Sequence, residues 1–397
     1  MKKILVVKGQ SAYNVLRYAA DMICEGFCRC GYEIDVVDVE QEGATEKLLA
    51  CLERRSEYAF YFSIQALFWD MEQMELPQIQ ELKRVGWIVD DPVYHSVRLL
   101  QSTGKDAHLL LVRDSHVKQV ERDYPQFDDV RTLYHGGFTG SGNVDYAKKD
   151  IDVFFPGTYV SLEASEKNIQ AMEGVLGTIA MRVKDRIVGE NLACAWMDEL
   201  RSFLKDISFD ISEKEFCVLA REMEVLDMYQ RDYMRQKVVE ALLAAGITVT
   251  VVGAGWNHYT GAGREHLKIL SDEGMDITEV IGLMERSKIV LNNTNILDGL
   301  HERILTAMLA KAVCVTNEYS LLNALFKDGE ELVTFPLNHM ETLPVIVKNL
   351  LENPTRAAQI AEAGYRATVE KHTWQRRGEQ IVKWLQDGAD FTYEKVM

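Results

Sequence analysis

ERSKIVLNNTNILDGLHERILTAMLAKAVCVTNE, residues 285–318, reads as strand, polar loop, helix and strand in turn. KIVLNN opens with a short apolar run of the kind that a strand buried on both faces requires, and AVCVT (312–316) repeats it. Between them Asp298-Gly299 marks a turn, and apolar residues from about 301 to 310 recur at helical spacing. Strand, helix and strand in this order form a βαβ unit, which demands a parallel sheet. The alternation extends outward from there. Towards the N-terminus lie ILVV (4–7), EIDVVDV (33–39), YAFYFSI (58–64), RVGWIV (84–89), HLLLV (108–112) and VRTLY (130–134). DVFFPG (152–157), TVTVVG (248–253) and LVTF (332–335) complete the set.

The run of small and polar residues HGGFTGSGN (135–143) interrupts this pattern and marks a domain boundary. The expected fold is α/β, with two Rossmann-like domains facing a cleft, over 1–145 and 146–372. A helical insertion occupies about 162–245, where β-rich runs disappear and Ser212 with Glu215 forms a capping-box signature. Asp276 with Glu279 opens a later helix in the same way, and two helices broken near 372–374 end the chain. The last of them, in 373–397, is expected to pack back on the N-terminal domain.

Composition limits the function. The chain has 397 residues, 47% of them hydrophobic and 26% charged, which excludes disordered and collagen-like classes. Lys plus Arg number 44 against 61 Asp plus Glu, a net charge of −17 that repels nucleic acid and anionic membranes at long range. No stretch approaches the ~18 apolar residues of a membrane span. MKKILVVKG has too short an apolar run for a secretory leader, and seven scattered cysteines suit a reduced interior, so a cytoplasmic location is expected. Cys24, Cys28 and Cys30 cluster without a second metal-ligand pair and read as buried thiols.

Open α/β sheets bind ligands beyond the carboxyl ends of their strands, so residues that follow strands are the candidates. Asn292 and Asn293 end one strand, and the helix that begins near His301 and Glu302 aims free N–H groups at whatever lies beyond. Arg303 in its first turn adds a charge-assisted contact suited to a diphosphate. In the plainer alternative, Asp298 and Glu302 only balance the helix dipole. Gly253-Ala254-Gly255-Trp256 follows another strand, and Gly9-Gln10-Ser11 follows the first. Asp90, Asp91 and His95 follow the fourth strand, where Asp91 or His95 could serve as a general base, although Asp91 before Pro92 also suits a turn. His135 follows the sixth. Asp150-Ile151-Asp152 has the form of a metal-binding Asp-x-Asp but precedes a strand, so no metal site is expected.

DGLHERILTAMLAKAVCVTNE (298–318) resembles the donor-site signature of GT-B nucleotide-sugar glycosyltransferases. It resembles in particular the bacterial branch with a "glycosyl transferases group 1" C-terminal domain, which includes spore-maturation-like proteins. LLNALFKDGEELVTF (321–335) and NPTRAAQIAEAGYRATVEKHTWQRR (353–377) continue the likeness, and WIVDDP (87–92) with LLLVRDSHV (109–117) looks like the accompanying N-terminal domain. The resemblance implies a nucleotide-diphosphate sugar as co-substrate, no cofactor, and an acceptor that is a protein, glycan or lipid. It puts Asp298 at the first of two acidic positions eight residues apart, near the donor sugar. Thr306 stands at the second, where relatives use Glu for the ribose hydroxyls. Gly253, Gly255 and Trp256 match the loop whose backbone approaches the donor, and His372 and Trp374 match the terminal helix, where packing is the expected role.

The expected activity is sugar transfer without a metal and with retention. Asp298 would orient the donor sugar beside His301 and Glu302, while Gly9, Gln10, Ser11 and His135 lie on the acceptor side. A catalytically silent GT-B subunit that binds a partner, and an epimerase or phosphorylase on the same fold, are the alternatives. Self-association as a homo-oligomer is left open, with the helical insertion as an interface or an acceptor platform.

Overall fold

A computed structural model describes residues 2–71, 76–142, 145–189, 192–388, 390, 391 and 393. Asn143 at the end of the Gly-rich break and the chain beyond 393 lie outside the described residues. The chain divides into two compact units. Unit 1 comprises Met1–Phe138, Asp298–Leu300 and Glu370–Glu394, and unit 2 comprises Thr139–Leu297, His301–Val369 and Lys395–Met397. The short excursion at Asp298–Leu300 differs from the expected division, which kept these residues in the C-terminal domain; its cause is an ion pair described below.

Unit 1 is built on strands β1 (Lys3–Lys8), β2 (Glu33–Asp38), β3 (Tyr58–Ile64), β4 (Arg84–Ile88), β5 (Ala107–Leu111) and β6 (Asp129–Thr132). All pair in parallel, in the order β2-β1-β3-β4-β5-β6. Every residue of β4 is buried, as a central strand covered on both faces must be. Even Arg84 is fully enclosed; burial lowers its pKa to about 10, and its Nη2 donates to the Thr103 and Lys105 carbonyls. The helices Val15–Arg29 and Trp374–Asp387 pack together through paired glycines. A Cβ at Gly26 would lie 2.1 Å from the Gln375 carbonyl oxygen, and one at Gly378 2.4 Å from that of Ile23. Trp374 is fully buried in the same unit, against Trp87 and Phe138.

Unit 2 contains β7 (Ile151–Pro156), β8 (Val249–Val252), β9 (Leu267–Ser271), β10 (Ser287–Leu291), β11 (Val313–Asn317) and β12 (Val333–Phe335). They form a second parallel sheet in the order β12-β11-β10-β7-β8-β9. The chain passes from β7 to the adjacent β8 through five helices, Leu162–Gln170, Gly174–Gly189, Trp196–Asp206, Glu213–Glu222 and Val225–Ala244. What reads in sequence as an insertion is therefore an enlarged βαβ crossover. Ser212 and Glu215 form the capping box, and Asp276 caps the helix Ile277–Arg286.

Two sequence expectations need correction. Strand β9 is absent from the runs read above, because as an edge strand it buries only part of its length and LKILS carries no continuous apolar run. Cys28 and Cys30 are exposed and Cys24 is half-buried, so the cluster is not a set of buried thiols: two of the three lie on the outer side of the helix end and its exit. All the cysteines are free. No described helix is long and apolar enough to cross a membrane.

Candidate functional site

In a doubly wound sheet the loops diverge where the strand order reverses, and that divergence leaves a crevice at the carboxyl ends. In unit 2 the reversal falls between β7 and β10. Gly157-Thr158 follows β7 and Asn292-Asn293 follows β10. Asn292 is fully buried; its Nδ2 donates to Thr316 Oγ1 (2.9 Å), which leaves Oδ1 to accept from Arg303 Nη1 (3.2 Å). Asn292 thus sets the direction of the Arg303 guanidinium, which also lies 5.9 Å from the Phe155 ring.

A second guanidinium reaches the same place. Arg235, on the helix Val225–Ala244, donates from Nη1 to the Thr158 carbonyl, and its Nε is buried without a hydrogen bond. Both arginines are deeply recessed yet keep a partly open side chain, as a concave site would leave them. Burial lowers the Arg235 pKa to about 10, with repulsion from Arg303 the next cause. Burial also lowers that of Arg303, against the attraction of Glu302. Asp232, whose charge favours the charged form of Arg235, accepts instead from Ser165 Oγ (3.0 Å). Neither guanidinium has a carboxylate within 4.0 Å among the described residues. Two desolvated like charges without a counter-ion are costly, and an anion bound between them would remove that cost.

The neighbouring loop is shaped by glycine. Gly253 has φ 140° and Gly255 φ 91°, and a Cβ on either would meet the Gly157 or Tyr159 carbonyl oxygen at 2.4 or 2.2 Å. Trp256, expected at the donor, is instead fully buried: its indole N–H donates to the Gly157 carbonyl (2.6 Å) and its ring stacks on Tyr159. Its work is to brace the loop. Thr306 is likewise buried, its hydroxyl bound to the Glu302 carbonyl (2.8 Å) one helical turn back. His301 caps the helix Glu302–Leu309; its Nδ1 lies 3.1 Å from the Arg303 N–H and 2.7 Å from Glu302 Oε2, so the tautomer decides which partner it serves. Asn293 is buried, with its Oδ1 unpaired.

Asp298 lies in unit 1, where it does something the sequence did not suggest. Its Oδ1 accepts from Arg113 Nε (2.5 Å) and its Oδ2 from the Ser115 backbone N–H (2.7 Å), at the start of the helix Asp114–Asp123. Gly299 bridges the Arg113 backbone. Asp298 therefore does balance a helix dipole, but that of another helix. Burial alone would raise its carboxyl; Arg113 and the Ser115 contacts outweigh this and hold it below the usual range. His135 Nδ1 lies 2.8 Å from the Leu300 carbonyl and its backbone carbonyl accepts from Arg377, so this ring is a structural anchor.

The proposed base residues of unit 1 are otherwise employed. Asp91 caps the turn Pro92–His95 by accepting from the Val93 N–H (3.0 Å), and Asp90 accepts from Gln65. Burial, with Arg98 second, lowers His95 to about 4, too weak a base to draw a proton at neutral pH. Gly9 packs on Leu67, Ser11 Oγ accepts from the Leu16 N–H (2.9 Å), and Gln10 is exposed. These three follow β1, at the order reversal of unit 1 between β1 and β3. Asp150 and Asp152 are paired with Arg286 and Lys288, at 2.5 and 2.6 Å. Among the described residues no group of acidic, His and Cys side chains could hold a metal.

Residues 231–383 match the family model described as "Glycosyl transferase-like". Over this stretch the chain is similar to glycosyltransferases. The match begins in the helix that supplies Arg235 and includes Asn292 and Arg303. Among solved structures, the chain is similar to HepE from Anabaena in complex with UDP and glucose, at 11% identity over 97% of this chain and 99% of that one, with a TM-score of 0.52. An α-glucosyltransferase in complex with UDP-glucose and abasic DNA aligns at 10% identity over 97% and 98%, with a TM-score of 0.55. Sucrose-phosphate synthase from Thermosynechococcus elongatus aligns at 10% over 96% and 98%, with a TM-score of 0.51. At these identities the likeness is one of fold, the GT-B fold of two Rossmann-like units. No curated protein matches the chain.

The candidate site has one participant that sequence reading missed, Arg235. Its only sequence signal is a cation inside a helix, and its meaning depends on Arg303, 68 positions away.

Proposed function

We propose that the chain transfers a sugar from a nucleotide-diphosphate sugar to an acceptor, with unit 2 holding the donor. The observation that carries this reading is the pair Arg235 and Arg303, recessed at the order reversal of a Rossmann-like sheet, neither with a carboxylate within 4.0 Å among the described residues. A diphosphate supplies the missing charge. As the bond from sugar to phosphate breaks, negative charge grows on the leaving diphosphate, and fixed guanidinium groups beside the N-terminus of Glu302–Leu309 stabilise it without reorganising. Because the positive charge is built into the protein, transfer proceeds without a metal. UDP and UDP-glucose in the complexes of the structural neighbours make UDP-sugars the first donors to test.

Retention of configuration is the proposed stereochemistry. An inverting transfer needs a base for the acceptor hydroxyl, and Asp91 caps a turn while His95 is a weak base. Digestion of the product with anomer-specific glycosidases tests this, and an inverted product would refute it.

A second reading, a silent subunit that binds a partner, draws on Thr306. Its hydroxyl is bound inside its own helix and no carboxylate stands at that position. Turnover of any sugar nucleotide by the wild type, lost in Arg303→Ala with the fold intact, excludes that reading. Nucleotide binding without turnover over a broad acceptor panel favours it.

A further inference from the structure

Unit 1 has a pocket of about 630 Å³ beside the end of Val15–Arg29 and the helix Trp374–Asp387, within the size range of small-molecule sites. Arg29, Lys371, Arg376 and Lys383 line it, with Trp384 and Phe391 supplying an apolar wall. Its two acids are already engaged: Glu379 pairs with Arg29 (3.4 Å) and Arg376, and Asp390 pairs with Arg131 (2.5 Å). Lys371 and Lys383 have no carboxylate within 4.0 Å among the described residues. Lys371 is also held in place, since its carbonyl accepts from Arg377 Nη1 (3.0 Å) and the following His372 contacts Arg377 Nη2 (3.1 Å). Two uncompensated ammonium groups at one concave site are notable in a chain of net charge −17.

We propose that this pocket binds a small organic phosphate, with the phosphate between Lys371 and Lys383 and its apolar portion against Trp384 and Phe391. Two compact point charges suit a dianion with several acceptor oxygens, and a pocket of this volume takes a small molecule. The site lies wholly within unit 1 and shares no residue with the arginine pair of unit 2, so it stands whether or not that pair holds a sugar nucleotide.

Calorimetric titration with phenyl phosphate tests the proposal, with inorganic phosphate and phenol as partial probes. The wild type is expected to bind one phenyl phosphate per chain, more tightly than either partial probe. The double variant Lys371→Met, Lys383→Met keeps the side-chain stems and should bind about tenfold more weakly or worse, as loss of charge-assisted contacts implies. Arg303→Ala should bind it as the wild type does. Unchanged unfolding midpoints would certify that both variants are folded. The proposal falls if the wild type shows no saturable binding, if the double variant binds undiminished, or if Arg303→Ala abolishes binding and so moves the anion to unit 2.

Discussion

Arg303 and Arg235 illustrate how a pair of side chains can define a site that neither defines alone. Each guanidinium is recessed, each is held by a neutral oxygen, from Asn292 or Thr158, and each raises the cost of the other's charge. Arg303→Ala should weaken binding of a nucleoside diphosphate by about 10- to 100-fold, the equivalent of a charge-assisted contact. A fluorescent-nucleotide displacement assay reads this directly. Asp298 yields a prediction of a different kind. Because Arg113 and Ser115 hold its carboxyl below the usual range, it stabilises the fold above the unfolded-state value of 3.8, and that contribution fades as pH falls through the lower folded value. Asp298→Asn should cost about 1–2 kcal/mol at pH 7, allowing for its partly open side chain, and the difference from wild type should shrink below pH 3.8. Equal unfolding free energies at pH 7 would refute the assigned role. Asp298 and Arg303 stood out in the sequence because one lies in the loop between a strand and a helix and the other in the first turn of that helix. Their partners did not, since Arg113 and Arg235 lie 185 and 68 positions away and only the fold brings each pair together.

Elements were more legible than partners. The central strands, such as β4 and β10, carry the apolar run that burial on both faces imposes, whereas β9, a half-exposed edge strand, lacks it. The capping residues Ser212, Asp276 and Thr373 all accept from a backbone N–H in the first turn of their helices. The helix pair in unit 1 depends on a feature that reading by period does not show, the contact of Gly26 with Gly378. Gly378→Ala adds a methyl group 2.4 Å from the Ile23 carbonyl. Helix propensity favours Ala over Gly by about 1 kcal/mol, but the overpacking should win and destabilise unit 1 by about 1–3 kcal/mol. A chemical denaturation curve that shows the variant as stable as the wild type would contradict the close packing.

Across the whole molecule, acid should act on the two units unequally. His95, His116 and His372 all lie in unit 1, and burial lowers the first to about 4, the last to about 3 and His116 well below its usual value. The unfolded chain takes up protons at these groups below pH 6.5 while the folded unit does not, so stability falls as pH drops through that point. Each neutral histidine contributes a loss of about 1.4 kcal/mol per pH unit until its own folded value is reached. Fluorescence should report this loss, since Trp69, Trp87, Trp374 and Trp384 belong to unit 1 and only Trp196 and Trp256 to unit 2. A Trp196→Phe, Trp256→Phe variant should retain an acid transition beginning near pH 6, and its absence down to pH 4 would contradict the buried neutral state.

In the proposed function, Arg235 and Arg303 hold the diphosphate of a sugar nucleotide. Isothermal titration with UDP, GDP, dTDP, ADP and CMP in the presence of EDTA, on the wild type and on Arg235→Ala and Arg303→Ala, tests it most directly. Saturable, metal-free binding of at least one nucleoside diphosphate to the wild type is expected, weakened by about tenfold or more in each variant. Binding that requires a divalent metal, or that both variants retain undiminished, would contradict it.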